Sequence, residues 1–157
     1  MTLISAFCGL FGCGKAPVYT IEDIRSVSVS CGHMDYSHSY SFYLRKTESG
    51  WLLDADYATD TVQQRTAFET CAVADEEAKE LLAVVQATDV IGKLWRYKKP
   101  KLKVQAADET TYYTSILFAD GEQLSAATHT GDDLMNAFIR LAGKHALAAE
   151  ESDEMKT

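Results

Sequence analysis

Polar and apolar residues alternate without a break through Ser26-Val27-Ser28-Val29-Ser30, the period of two expected of a strand with one face buried and the other in water. The period returns from Ser39 to Arg45, with Tyr40, Phe42 and Leu44 on one face and Ser39, Ser41 and Tyr43 on the other. Glu48-Ser49-Gly50 supplies turn chemistry. Beyond it Trp51, Leu53, Ala55 and Tyr57 alternate with Leu52, Asp54 and Asp56, so residues 39 to 57 predict a hairpin. After a loop over 58 to 65, the short stretch Ala67 to Val73 predicts another strand.

The period changes at Asp75. That residue is placed as an N-cap, Glu76 and Glu77 add acids to a first turn, and Ala78, Leu81, Leu82 and Val85 follow at helical spacing, predicting a helix. Thr110 to Phe118 and Gln123 to Thr128 flank Asp120-Gly121, a dipeptide that accepts the positive backbone angles of a tight hairpin. Thr130 or Asp132 then caps a last helix whose Leu134, Phe138, Leu141 and Ala142 share a face. Strands grouped in hairpins need no crossover helices. The expected architecture is α+β, an antiparallel sheet of about five to six strands with two α-helices packed on one face and the other at least partly wet. Residues 20–147 form one domain in this reading. Residues 1–19, broken from it by Gly14 and Pro17, are an apolar lead-in, and the acidic 148–157 stretch is a solvated tail.

At 157 residues, with 46% hydrophobic and 24% charged positions, the chain can bury a core of ordinary size. Its formal net charge of -8 favours solubility and opposes general attraction to nucleic acid or to anionic lipid. Four cysteines, Cys8, Cys13, Cys31 and Cys71, are too sparse for a disulfide scaffold and read as reduced thiols in a cytoplasm. Leu10-Phe11-Gly12-Cys13 loosely resembles the box preceding a lipid-modified cysteine, so lipid anchoring through Cys13 is the alternative. No Lys or Arg precedes Lys15, however, and bulky Phe11 stands where a small residue is usual.

The run SVSVSCGHMDYSHSYSFYLRK, the following GWLLDAD, and the later YKKPK, DETTYY and FADG together resemble a group of small bacterial proteins that carry a domain of unknown function. The resemblance spans about residues 20 to 145 and rests on strand and turn signatures, so it implies no activity.

Several segments carry chemistry of their own. Gly9 to Lys15 has the spacing of a phosphate-binding loop, but Ala16 and Pro17 follow where Ser or Thr and a helix are required. Cys31, His33, Asp35 and His38 fall within CGHMDYSH. Cys31, His33 and His38 are candidate metal ligands, or a thiol nucleophile with its base, although no paired Cys-x-x-Cys supports a closed site. Asp54, Asp56 and Asp60 suit the outer face of a strand better than a catalytic pair. His129 lies by the second hairpin's end, and His145 lies near a helix C-terminus, where positive charge is favourable.

The most unusual local feature is basic. Lys93, Arg96, Lys98, Lys99, Lys101 and Lys103, interleaved with Trp95 and Tyr97, have no acid from 90 to 107. They could dock phosphate, RNA or an acidic partner, or form a solvated connection or a lysine-protected edge strand. No motif demands a cofactor. The functional expectation is a non-catalytic intracellular interaction domain with a protein or other macromolecule as partner. A metal-binding or thiol-dependent enzyme, and nucleic-acid or phosphate binding through 93–103, are the alternatives.

Overall fold

The computed structural model describes residues 18–31, 40–58, 65–97, 111–128 and 131–154. Six strands, β1 (Ile24–Cys31), β2 (Tyr40–Thr47), β3 (Gly50–Ala58), β4 (Arg65–Val73), β5 (Tyr112–Phe118) and β6 (Gln123–Thr128), form one sheet in the order β4-β3-β2-β1-β5-β6. All neighbours are antiparallel. Helices α1 (Asp75–Ala87), α2 (Val90–Tyr97) and α3 (Asp132–Glu154) complete the α+β fold, with a short 3-10 turn at Ile21–Asp23.

The alternation in the sequence becomes the two faces of this sheet. Val27, Val29, Phe42, Leu44, Leu53, Ala55 and Ile116 are almost fully buried, and they meet the apolar stripes of the helices. Helix α1 buries Ala78, Leu81, Leu82 and Val85, the i, i+3, i+4, i+7 stripe of an amphipathic helix. From α3, Leu134, Phe138, Leu141 and Ala142 enter the same core. Phe138 stacks on Phe42 with ring centroids 5.4 Å apart. Helix α3 lies against α1 and β1, and α2 lies against β6.

Two irregularities modify the alternation. Between Ile24 and Ser26 the β1–β5 register slips by one residue, leaving Arg25 as the extra, exposed position. Even-numbered Ile24 therefore points into the core together with odd-numbered Val27 and Val29, because a one-residue bulge reverses parity. A second register shift, between Leu53 and Ala55 on the β3 side, interrupts the β3–β4 pairing.

The helical layer departs from the expected pair. The third helix, α2, occupies the start of the basic segment, where a connection or an edge strand was expected. It follows from Asp89, whose backbone adopts φ 51°: this residue ends α1, and its carbonyl accepts the Lys93 N–H at 2.9 Å to open α2. Gly92 leaves room for the Asp89 side chain, since a Cβ there would lie 2.3 Å from Oδ1. Asp75 is the first residue of α1 and not its cap. Ala74 occupies that position, and its N–H donates to the Glu77 carboxylate at 3.4 Å. At the other terminus α3 runs to Glu154, through most of the 148–157 stretch read as a solvated tail.

The β5–β6 hairpin closes as its sequence predicts. Phe118 N–H donates to the Glu122 carbonyl at 2.9 Å, Gly121 N–H donates to the Phe118 carbonyl at 3.1 Å, and Gly121 takes φ 88°, an angle that glycine adopts without a Cβ clash. Tyr19, from the lead-in, is tied to this hairpin: its ring stacks on Phe118 at 3.8 Å and its hydroxyl donates to Asp120 at 2.8 Å.

Candidate interaction surface

Strand register arranges the sheet's outer face in rows. One row reads Asp54, Tyr43, Ser28, Ser115, Ser125 across β3, β2, β1, β5 and β6; the next reads Asp56, Ser41, Ser30, Tyr113, Ala127. A third begins at Leu52 and continues through Arg45, Ser26, Leu117 and Gln123. The centre is small and hydroxylated because the outward positions of β1 are Ser26, Ser28 and Ser30, and Ser41, Ser115 and Ser125 stand beside them on β2, β5 and β6. Two larger side chains rise from it on either side of β1. Tyr113 is 58% and Tyr43 38% exposed.

The surroundings hold the face in shape. The Arg45 guanidinium lies 5.8 Å from the Tyr43 ring centroid and 3.5 Å from the Asp54 carboxylate. Asp54 also accepts the Thr70 hydroxyl at 2.6 Å, and Ser115 accepts the Gln123 amide at 2.8 Å. Asp54 is thus an acceptor that joins β2 and β4 across β3. That is the outer-face position expected of it.

Cys31 ends β1 in register with Tyr40 and Tyr112. It is buried, and burial first, then the Asp132 charge, push its thiol above the ordinary value. A nucleophilic thiol needs the opposite environment. The Tyr112 hydroxyl donates to the Asp132 carboxylate; burial, followed by this hydrogen bond, raises its own pKa. Cys71 is likewise raised, by burial first and then by Asp54 and Glu77. No group of three or more His, Cys, Asp and Glu with metal-binding geometry occurs among the described residues. His33, Asp35, His38, Asp60 and His129 lie outside them, as do the phosphate-loop lookalike at 9–15 and Cys13.

The basic candidates are divided. Lys93, Trp95 and Arg96 stand on α2, Tyr97 ends its backbone, and Lys98, Lys99, Lys101 and Lys103 lie outside the described residues. Trp95 is half-buried against the core, and Arg96 is paired with Asp89 at 3.0 Å. His145 is not at a helix C-terminus, because α3 continues to Glu154. Its Nε2 lies 3.1 Å from Glu77 and so joins α3 to α1.

No helix among the described residues is long and apolar enough to cross a membrane. Comparison with protein-family models, with curated proteins and with solved structures finds no match. The outer-face tyrosines are the feature that sequence reading underused: Tyr43 was assigned to the polar face, and Tyr113 sits at an outward position of a strand whose other outward residues are Ser115 and Leu117.

Proposed function

We propose that this protein is a non-catalytic, intracellular interaction domain whose outer sheet face receives a protein partner. The observation that carries the reading is the pair of solvent-exposed tyrosines, Tyr43 and Tyr113, on the serine-lined outer face of the sheet. Tyrosine offers a large rigid contact area at little conformational cost and is enriched at the centres of interfaces. Serine neighbours let a partner approach the backbone closely. Asp54 and Asp56 at one side of the face, within a chain of net charge -8, favour a partner with basic residues opposite them and disfavour nucleic acid.

The raised thiols of Cys31 and Cys71 support a binding role over thiol catalysis. Both thiols are free, which supports a cytoplasmic setting. The kinship with small bacterial proteins belongs to the same proposal and adds no activity to it. The test is capture from native cells with the wild-type chain and with a Tyr43→Ser/Tyr113→Ser variant. A protein retained by the wild type and reduced at least about tenfold with the variant supports the reading, since each lost aromatic anchor costs about 1–2 kcal/mol or more. Equal retention by both, or retention of nucleic acid alone, contradicts it.

A further inference from the structure

On the helical side, remote from the sheet's outer face, a cleft of about 220 Å³ opens between the lead-in and the α1–α2 corner. Tyr19, Val85, Ile91 and Trp95 give it apolar and aromatic walls, and Gln86 and Asp89 give it polar ones. At about 30 Å³ per liquid water, the space corresponds to roughly seven waters. It is therefore the size of a ligand head group and not of a large cofactor.

Two features make these walls selective. The first is that the cleft is pre-formed. Tyr19 is fixed on one side by its stack on Phe118 and by the hydrogen bond to Asp120. Asp89 is held in its left-handed conformation at the start of α2, with Gly92 making room for its carboxylate. The second is the sign of the field. The hydrogen bond to Asp120, then burial, and after these the charges of Asp120, Glu122 and Asp23 push the Tyr19 hydroxyl up to about 12. Asp89 adds a carboxylate directly to the lining.

Aromatic faces beside fixed negative charge attract cations and gain little from neutral or anionic ligands. Asp89 is paired with Arg96, and that pair is more than half exposed on both sides. Exposed ion pairs of that kind contribute about 0–1 kcal/mol, so a ligand can take Arg96's place at little cost.

We infer that the Tyr19–Trp95 cleft binds a small organic cation, an alkylammonium head group seated between the two aromatic rings and neutralised by Asp89. The probe is choline, with 3,3-dimethyl-1-butanol as its uncharged isostere, titrated into the full chain labelled for backbone amide NMR. Choline should shift the amides of residues 19 and 85–95, and the isostere should bind at least about tenfold more weakly, the loss of one cation–aromatic contact and one ion pair.

Asp89→Asn removes the charge while keeping a side chain suited both to the cap and to the left-handed backbone. It should weaken choline binding by a few-fold, the worth of one exposed ion pair, with the fold intact, whereas Arg96→Ala, which frees Asp89, should strengthen it by a few-fold. Absence of choline-dependent shifts at tens of millimolar, equal binding of the isostere, or unchanged affinity in Asp89→Asn would each overturn the inference.

Discussion

Substituting alanine at Gly131 should destabilise the fold, while the same substitution at Gly143 should stabilise it. At Gly131 an added Cβ would lie 2.6 Å from Cγ and 2.8 Å from Cβ of Tyr112. That ring cannot swing aside, because it is buried and its hydroxyl is held by Asp132. The backbone is held too, since the Gly131 carbonyl accepts the Met135 N–H at 2.8 Å to start α3. Overpacking of this kind costs about 1–3 kcal/mol, and alanine is a poorer N-cap than glycine by about 0.5 kcal/mol. A loss of about 2–3 kcal/mol is expected.

At Gly143, inside α3, nothing lies within 4 Å of the added carbon. The gain is then the intrinsic helix preference for alanine, about 0.5–1 kcal/mol. Urea unfolding followed by far-UV circular dichroism measures both. With a slope of about 2 kcal/mol per molar, the two midpoints should separate by about 1.2–2 M. The reasoning fails if Gly131→Ala unfolds at or above the wild-type midpoint, or if Gly143→Ala unfolds well below it.

Further expectations follow from the core, the thiols and the hairpin. Phe138→Ala removes a fully buried ring stacked on Phe42 and should cost about 3–5 kcal/mol in the same urea assay; a loss below about 1 kcal/mol would mean that the helix does not seal the sheet there. Cys31 and Cys71, both raised by burial, should react with a thiol reagent far more slowly in the folded chain than a free model thiol does, and rates equal to the model would show an activated or exposed sulfur. The Tyr19 hydroxyl is raised from 10.0 to about 12 in the fold. A group raised by folding contributes stability that is complete below its unfolded value and is lost as pH climbs through its folded one. Wild type should therefore lose stability relative to Tyr19→Phe between pH 10.0 and about 12, and parallel unfolding curves for the two across that window would refute the Asp120 contact.

Most of the sheet was legible because its information is local. The alternation of β1, β2 and β3, the Gly50 turn and the Asp120-Gly121 hairpin each depend on residues adjacent in sequence. The less legible elements depend on register or on distant partners. In β4 the bulge opposite Leu53 and Ala55 interrupts the alternation that marks a strand. Helix α2 is only eight residues long and contains Gly92, so intrinsic preference argues against it; it forms because Leu94 is buried with the core and Asp89 starts a new turn.

The exposed face was foreseen as wet and acid-bearing, but the placing of Tyr43 and Tyr113 on either side of β1 required the strand order. The cleft was invisible from sequence, because Tyr19 reaches Asp120 across 101 positions. Basic residues at 93 to 103 stand out by their density, yet on α2 Arg96 pairs with Asp89 and Trp95 packs against the core.

The central proposal is that the sheet face bearing Tyr43 and Tyr113 is where a protein partner binds. A photo-crosslinking amino acid placed at position 113 in native cells tests it most directly, with Glu80, which is exposed on α1, as the control position on the helical side. The account predicts a discrete protein adduct from position 113 that is absent from position 80. An adduct formed from position 80 alone, or no protein adduct from position 113, would contradict it.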